Sequence, residues 1–266
     1  MTYRELIAQI RDFGFSDDTE IEDFDELVPN DINQSITEIN IEVDPIIGTL
    51  DFEVKDEDTG YLYIDMTQVF SETITGDGET VSFELDQTPR RILSVTYVDG
   101  DEETTITGYS LSENVITFTD VPPFGRVMTV NYVIYGDPNF LEFDKTPIQI
   151  KESGENGREL YETFNDYFIE NDRVMILDAD KNKGSFRVFY KRLHDKFRGD
   201  EDEMETQLPL NPRVHYLVPL LTAYYVWLDD EPVKAAQYYN LYEQKKRDFL
   251  DGTINKPRMR VLQGGI

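Results

Sequence analysis

The chain has 266 residues, 39% of them hydrophobic and 12% aromatic, enough apolar material for one large folded domain or two modest ones. Its formal net charge of −29 opposes nucleic-acid binding, which draws on Lys and Arg to release counterions from phosphates. The absence of cysteine excludes a disulfide framework, zinc–thiolate sites and thiol catalysis, and the longest apolar run, "YLVPLLTAYYVWL", contains Pro219 and is too short for a membrane span.

At the start of the chain, Thr2 and Glu5 form the pattern of a capping box, and Leu6, Ile7, Ile10 and Phe13 follow at helical spacing, which predicts a helix to about Gly14. Polar residues interrupt the opening "MTYRELIAQI", so no signal-peptide pattern is expected. After an acidic loop, Leu27, Ile32, Ile36, Ile39 and Val43 mark one face of a second helix, with Asp25 as cap, Pro29 in the first turn and Asp44–Pro45 as the stop.

Short strands are predicted in "IIGTLDFEV" and "YLYIDM", separated by "KDEDTG". From 75 to 136, alternating Val, Ile, Thr, Tyr and Phe runs are punctuated by "GDG", "VDGD", "SEN" and "PPFG", the pattern of a compact antiparallel sandwich. Its glycine turns at both ends predict an inserted domain with neighbouring termini. The acidic clusters "KDEDTG", "GDEETT" and "GDEDEMET" read as solvated loops.

Further strands are predicted in "TPIQIKE" and "YETFNDYFIE", followed by a hairpin from Arg173 to Leu193. The hairpin's connection, Asp178 to Gly184, places Asp178, Asp180 and Asn182 at alternate positions, as a calcium loop does. Its sixth position is Lys183, however, and its twelfth is Phe189, which cannot ligate calcium, so the reading is a turn and no metal or other cofactor is expected.

Asn211 and Pro212 then start a helix with Val214, Leu217, Val218, Leu221, Tyr225 and Leu228 on a wide apolar face, kinked at Pro219. Asp230 and Pro232 start a last helix whose final turn carries Lys245, Lys246 and Arg247. His194 and His215 read as packing or surface residues, since neither has a serine, cysteine or second histidine at a motif spacing. With no nucleophile elbow, phosphate loop or nominated carboxylate pair, no enzyme is expected.

The element order predicts an α+β fold: a helical bundle formed by the N- and C-terminal helix pairs, a central β region, and an inserted antiparallel β-sandwich. The expected domains are a core of 1–74 with 137–252, the sandwich of 75–136, and an extended C-terminal arm, 253–266. The arm holds cations and no acidic side chain, so Lys256, Arg258, Met259, Arg260, Val261 and Leu262 are the expected partner-binding residues.

Three passages carry a family resemblance: "TYRELIAQIRDFG" with "FDELVPNDINQSITEINIEV", then "YFIENDRVMILDADKNKGSFRVFYKRL", and finally "LPLNPRVHYLVPLLTAYYVWLDDEPVKAAQYYNLYEQKKRDFL". Over roughly residues 1–70 and 140–252 the pattern resembles the head-to-tail adaptor (connector) proteins of tailed bacteriophages. The 75–136 segment separately resembles small β modules of phage tail and appendage proteins. The resemblance implies a homo-oligomeric ring, a dodecamer, in the neck of a virion assembled in the host cytoplasm. One side would bind the portal, through the arm, and the other a tail, stopper or nozzle protein. DNA would pass through an acidic channel without specific binding, and no membrane would be involved. The alternative is a phage appendage or receptor- or carbohydrate-binding protein that uses the sandwich, with Tyr97, Tyr109, Phe124 and Tyr132 as stacking aromatics.

Overall fold

A computed structural model describes residues 1–13, 24–99, 102–153 and 159–254. The chain divides into two compact units, one of Met1–Ile47 with Arg192–Ile266 and one of Gly48–Lys191.

The expected helical bundle around a central β region is corrected. Among the described residues the chain is mostly β, with fourteen strands in four antiparallel sheets against four α-helices. The physical reason lies in residues 48–191, whose apolar side chains gather in two separate cores, each between a pair of sheets. The β residues form the larger part of the fold, where the sequence reading made them a region within a bundle.

In the first unit, helices α1 (Tyr3–Asp12), α2 (Phe24–Glu42), α3 (Leu217–Trp227) and α4 (Pro232–Ile254) enclose one apolar core. The Thr2 hydroxyl accepts from the Glu5 amide at 3.2 Å and the Glu5 carboxylate from the Thr2 amide at 3.0 Å, so the N-terminus of α1 is satisfied on both sides. Ile32, Ile36 and Ile39 of α2 and Leu217, Val218 and Leu221 of α3 are fully buried, and Ser35 and Thr222 pair across the contact at 3.0 Å.

Three helix details differ from expectation. α3 begins at Leu217, so Pro219 is its third residue, among the donors no helix satisfies internally, and no kink is required. Pro29 lies six residues into α2, beyond the first turn, and removes a donor there. α4 runs to Ile254, past Lys245–Arg247, and Lys246 instead binds Glu42 at 2.7 Å and Glu243 at 2.9 Å.

Asn33 and Asn40, seven residues apart on α2, hold the segment that follows the β unit. The Asn33 side chain donates to the Phe197 carbonyl (2.7 Å) and accepts from the Phe197 amide (2.8 Å). Asn40 donates to the Arg192 carbonyl (2.8 Å) and accepts from the Ile46 amide (2.6 Å), so it joins the two points where the chain leaves and rejoins this unit. His194 is buried against the Asn33 side-chain oxygen at 3.0 Å, and burial lowers its pKa to about 4.

Asp31 of α2 has its pKa raised to about 6 by burial and by the charge of Asp229. The folded state therefore holds a proton on Asp31 that the unfolded chain has already released. The associated stability is present at about pH 4, near the unfolded value, and lost as pH rises through about 6. Asp31→Asn is expected to raise stability at pH 7 by about 1 kcal/mol, allowing for partial exposure, and to be neutral near pH 4. Calorimetry of variant and parent at both pH values checks this. The subtraction is needed because His194 titrates in the same window with the opposite sign.

In the second unit, strands β1 (Ile46–Val54), β14 (Gly184–Arg192), β10 (Phe140–Ser153) and β11 (Glu159–Thr163) form one sheet in the order β1-β14-β10-β11. A second sheet has β12 (Tyr167–Glu170), β13 (Val174–Asp178) and β2 (Tyr61–Asp65) in the order β12-β13-β2. Between them lie Leu50, Ile64, Ile148, Met175, Leu177, Phe186, Val188 and Tyr190.

The Arg173–Leu193 hairpin is thereby corrected, because β13 and β14 are consecutive in sequence yet belong to opposite sheets. Met175 and Leu177 enter the core from one side, and Phe186 and Val188 from the other. The turn carries the chain across the roughly 10 Å between packed sheets, so the two strands bury their apolar side chains against each other from opposite sides of the core.

The other two sheets have the orders β3-β9-β5-β6 and β4-β8-β7, with β3 (Phe70–Thr75), β4 (Ser82–Glu84), β5 (Arg91–Asp99), β6 (Glu102–Thr105), β7 (Tyr109–Ser112), β8 (Val115–Phe118) and β9 (Val127–Val133). Ile74, Val95, Met128 and Val130 of one sheet face Ile116 and Phe118 of the other. The connections into and out of this sandwich run side by side: the Asp137 amide donates to the Met66 carbonyl at 2.9 Å, and a Cβ on Gly136 would lie 2.9 Å from the Gln68 carbonyl oxygen. The Tyr190 hydroxyl donates to the Asp137 carboxylate at 2.9 Å and secures the crossing from the first sandwich.

Candidate interaction surface

The expected partner-binding residues Lys256, Arg258, Met259, Arg260, Val261 and Leu262 lie outside the described residues. The Asp178–Gly184 turn is fully described. Asp178 pairs with Lys181 at 2.6 Å, which holds its carboxyl below the usual range. Asn182 donates to the Asp166 carboxylate and to the Asp178 carbonyl, each at 3.1 Å. The Lys183 ammonium donates to the carbonyls of Lys55 (2.9 Å), Asp56 (3.2 Å) and Asp58. A tethered side-chain cation thus binds the oxygens of the neighbouring "KDED" loop, and among the described residues no cluster of three or more His, Cys, Asp or Glu side chains forms a metal site.

The four aromatics of the sandwich do not form one platform. Tyr132 is buried, with its hydroxyl donating to Glu72, and Tyr97 and Tyr109 pack against the core. The Arg126 guanidinium covers the Tyr97 ring at 4.1 Å, and Phe124 alone among the four is strongly exposed, at 86%. His215, like His194, is buried, and its Nε2 donates to the Leu210 carbonyl at 2.7 Å.

The feature missed in the sequence is the outer face of the β12-β13-β2 sheet. Residue pairing aligns Phe168, Ile176 and Tyr63 in one row across the three strands. The alternation that buries Met175, Leu177 and Ile64 turns this row outward, with Phe168 71% and Tyr63 57% exposed. Tyr61, 60% exposed, adds a second tyrosine two positions along β2. The adjoining row is Glu170, Val174 and Asp65, so two carboxylates edge the apolar row.

The outer face of the opposite sheet is different. There Arg187 binds Asp51 through two hydrogen bonds, at 2.6 and 2.9 Å, and lies over the Tyr161 ring at 4.4 Å. Lys191 pairs with Glu142 at 2.5 Å. Ion pairs lace the surface on one side of the sandwich, while aromatic rings stand exposed on the other. Contiguous exposed apolar surface of this kind marks interaction sites. The sequence did contain a signal: in "YLYI" both alternate positions are apolar, the pattern of a strand covered on both faces.

Comparison with known proteins adds no relative, since no family model and no curated protein sequence matches the chain.

Proposed function

We propose that the protein is a structural assembly component of a tailed-phage neck, a head-to-tail adaptor that forms a homo-oligomeric ring between portal and tail. The observation that carries this reading is the row in which exposed Phe168 and Tyr63 flank the half-buried Ile176, on a chain of net charge −29. So acidic a protein resists nonspecific association, and the flat aromatic face on it is suited to a defined partner. The resemblance of the helical and β13–β14 passages to adaptor proteins supports the class, and the basic C-terminal arm supplies a partner-binding element. The ring's function is passage of DNA past surfaces that repel phosphate, with no bond chemistry.

The test is negative-stain imaging and mass photometry of the purified protein, alone and mixed with a portal protein. Closed rings that join portal are expected. A compact trimer that ignores portal would overturn the adaptor reading in favour of an appendage protein.

A further inference from the structure

We propose that the aromatic face of β12, β13 and β2 binds the C-terminal segment, residues 255–266, of a second copy of this chain. The inference rests on the assembly reading above and names the partner of its exposed face.

Size argues first. Three strands about 4.8 Å apart and five residues of about 3.3 Å each give a face of roughly 14 by 17 Å, or about 240 Å². A stable protein–protein interface buries about 800 Å² per partner, so this face alone does not hold two folded bodies together. It does match the footprint of an extended peptide of five or six residues.

Charge selects which peptide. Self-pairing of the face with like edges together would set Asp65 and Glu170 against the same carboxylates of the second copy; among the described residues the Asp65 carboxylate accepts only from Thr67, and neither carboxylate forms a salt bridge. Nucleic acid is repelled for the same reason. An occupant with apolar atoms for the central row and cations for its edge satisfies both requirements.

The segment from 255 to 266 has this composition: Met259, Val261 and Leu262 are apolar, Lys256, Arg258 and Arg260 are cationic, and no side chain is acidic. Arginine is also the side chain that stacks best on exposed aromatic rings, here Tyr61, Tyr63 and Phe168, while reaching a carboxylate with its outer nitrogens. A second copy is the source because identical chains of charge −29 repel one another, and assembling them needs a locally cationic element directed at a neighbour.

The absence of cysteine makes the test direct. Two full-length proteins, Phe168→Cys and Val261→Cys, are mixed under mild oxidation, so that a mixed disulfide forms only between copies. It is expected to form about tenfold faster than with Thr49→Cys, which is exposed on the opposite sheet, because docking raises the effective thiol concentration. Arg258→Glu with Arg260→Glu in the Val261→Cys chain should remove that advantage, and Asp65→Lys with Glu170→Lys in its partner should restore it.

A rate equal to the Thr49→Cys control would overturn the proposal. So would closure of a Phe168→Cys, Val261→Cys double variant within single chains at high dilution. Rings on portal without the mixed disulfide would refute this inference and leave the adaptor reading standing; the disulfide without rings or portal binding would do the reverse.

Discussion

Phe186→Ala is expected to destabilise the β unit by about 3–5 kcal/mol, the cost of emptying an aromatic site in a packed core. The Phe186 side chain is 1% exposed and lies between the sheets of the first sandwich. Its ring stacks on Phe52 at 5.4 Å and meets Phe164 edge-on at 5.2 Å, so truncation removes area burial and two aromatic contacts together. The loss is a large part of the 5–15 kcal/mol typical of a domain. Phe186→Leu keeps most of the volume and is expected to cost less than about 1.5 kcal/mol. Urea denaturation followed by hydrogen exchange, read peptide by peptide, checks both. The deprotection in the alanine variant should concentrate in residues 48–191, and equal losses for alanine and leucine would show that packing volume is not what the ring supplies.

Asn40→Leu keeps the number and branching of side-chain heavy atoms but removes both polar ends, and is expected to cost about 2–5 kcal/mol. The Asn40 side chain is 1% exposed and spends both of its polar ends on backbone, at Ile46 and Arg192. Leucine leaves a buried N–H and a buried C=O without partners, each worth about 1–3 kcal/mol when orphaned. The lone tryptophan, Trp227, is buried in the same helical unit, and its fluorescence reports the transition. The midpoint should fall with an unchanged denaturant slope. A variant as stable as the parent would mean that water or a shifted backbone replaces both bonds.

Local rules made the helices legible. The Thr2–Glu5 capping box depends on four consecutive residues, and Ile32, Ile36 and Ile39 announce a buried face by spacing alone. The strands were legible for the same reason, since alternation over four to nine residues is a local property. Pairing was not. Nothing within "RVMILDADKNKGSFRVFY" distinguishes a hairpin from a crossing between sheets, because both need a turn of similar length and the same alternation on each side. The choice depended on which other strands offered partners, β12 and β2 for β13, β1 and β10 for β14.

The candidate surface divides in the same way. The cationic, acid-free arm could be recognised from composition, since charge is a sum over residues. The aromatic row could not, because Tyr63, Ile176 and Phe168 stand more than a hundred residues apart from first to last and become neighbours only through strand register. By itself the sequence determined which segments favour helix and which favour strand, the acidity that turns phosphate away, and the absence of thiol chemistry, all of which arise from side chains near one another or from totals. Only the tertiary structure decided that β outweighs α, that β13 and β14 face each other across a core, and that one sheet face stays apolar. Each of these depends on which distant segments compete successfully for the same apolar neighbours, a contest no local pattern records.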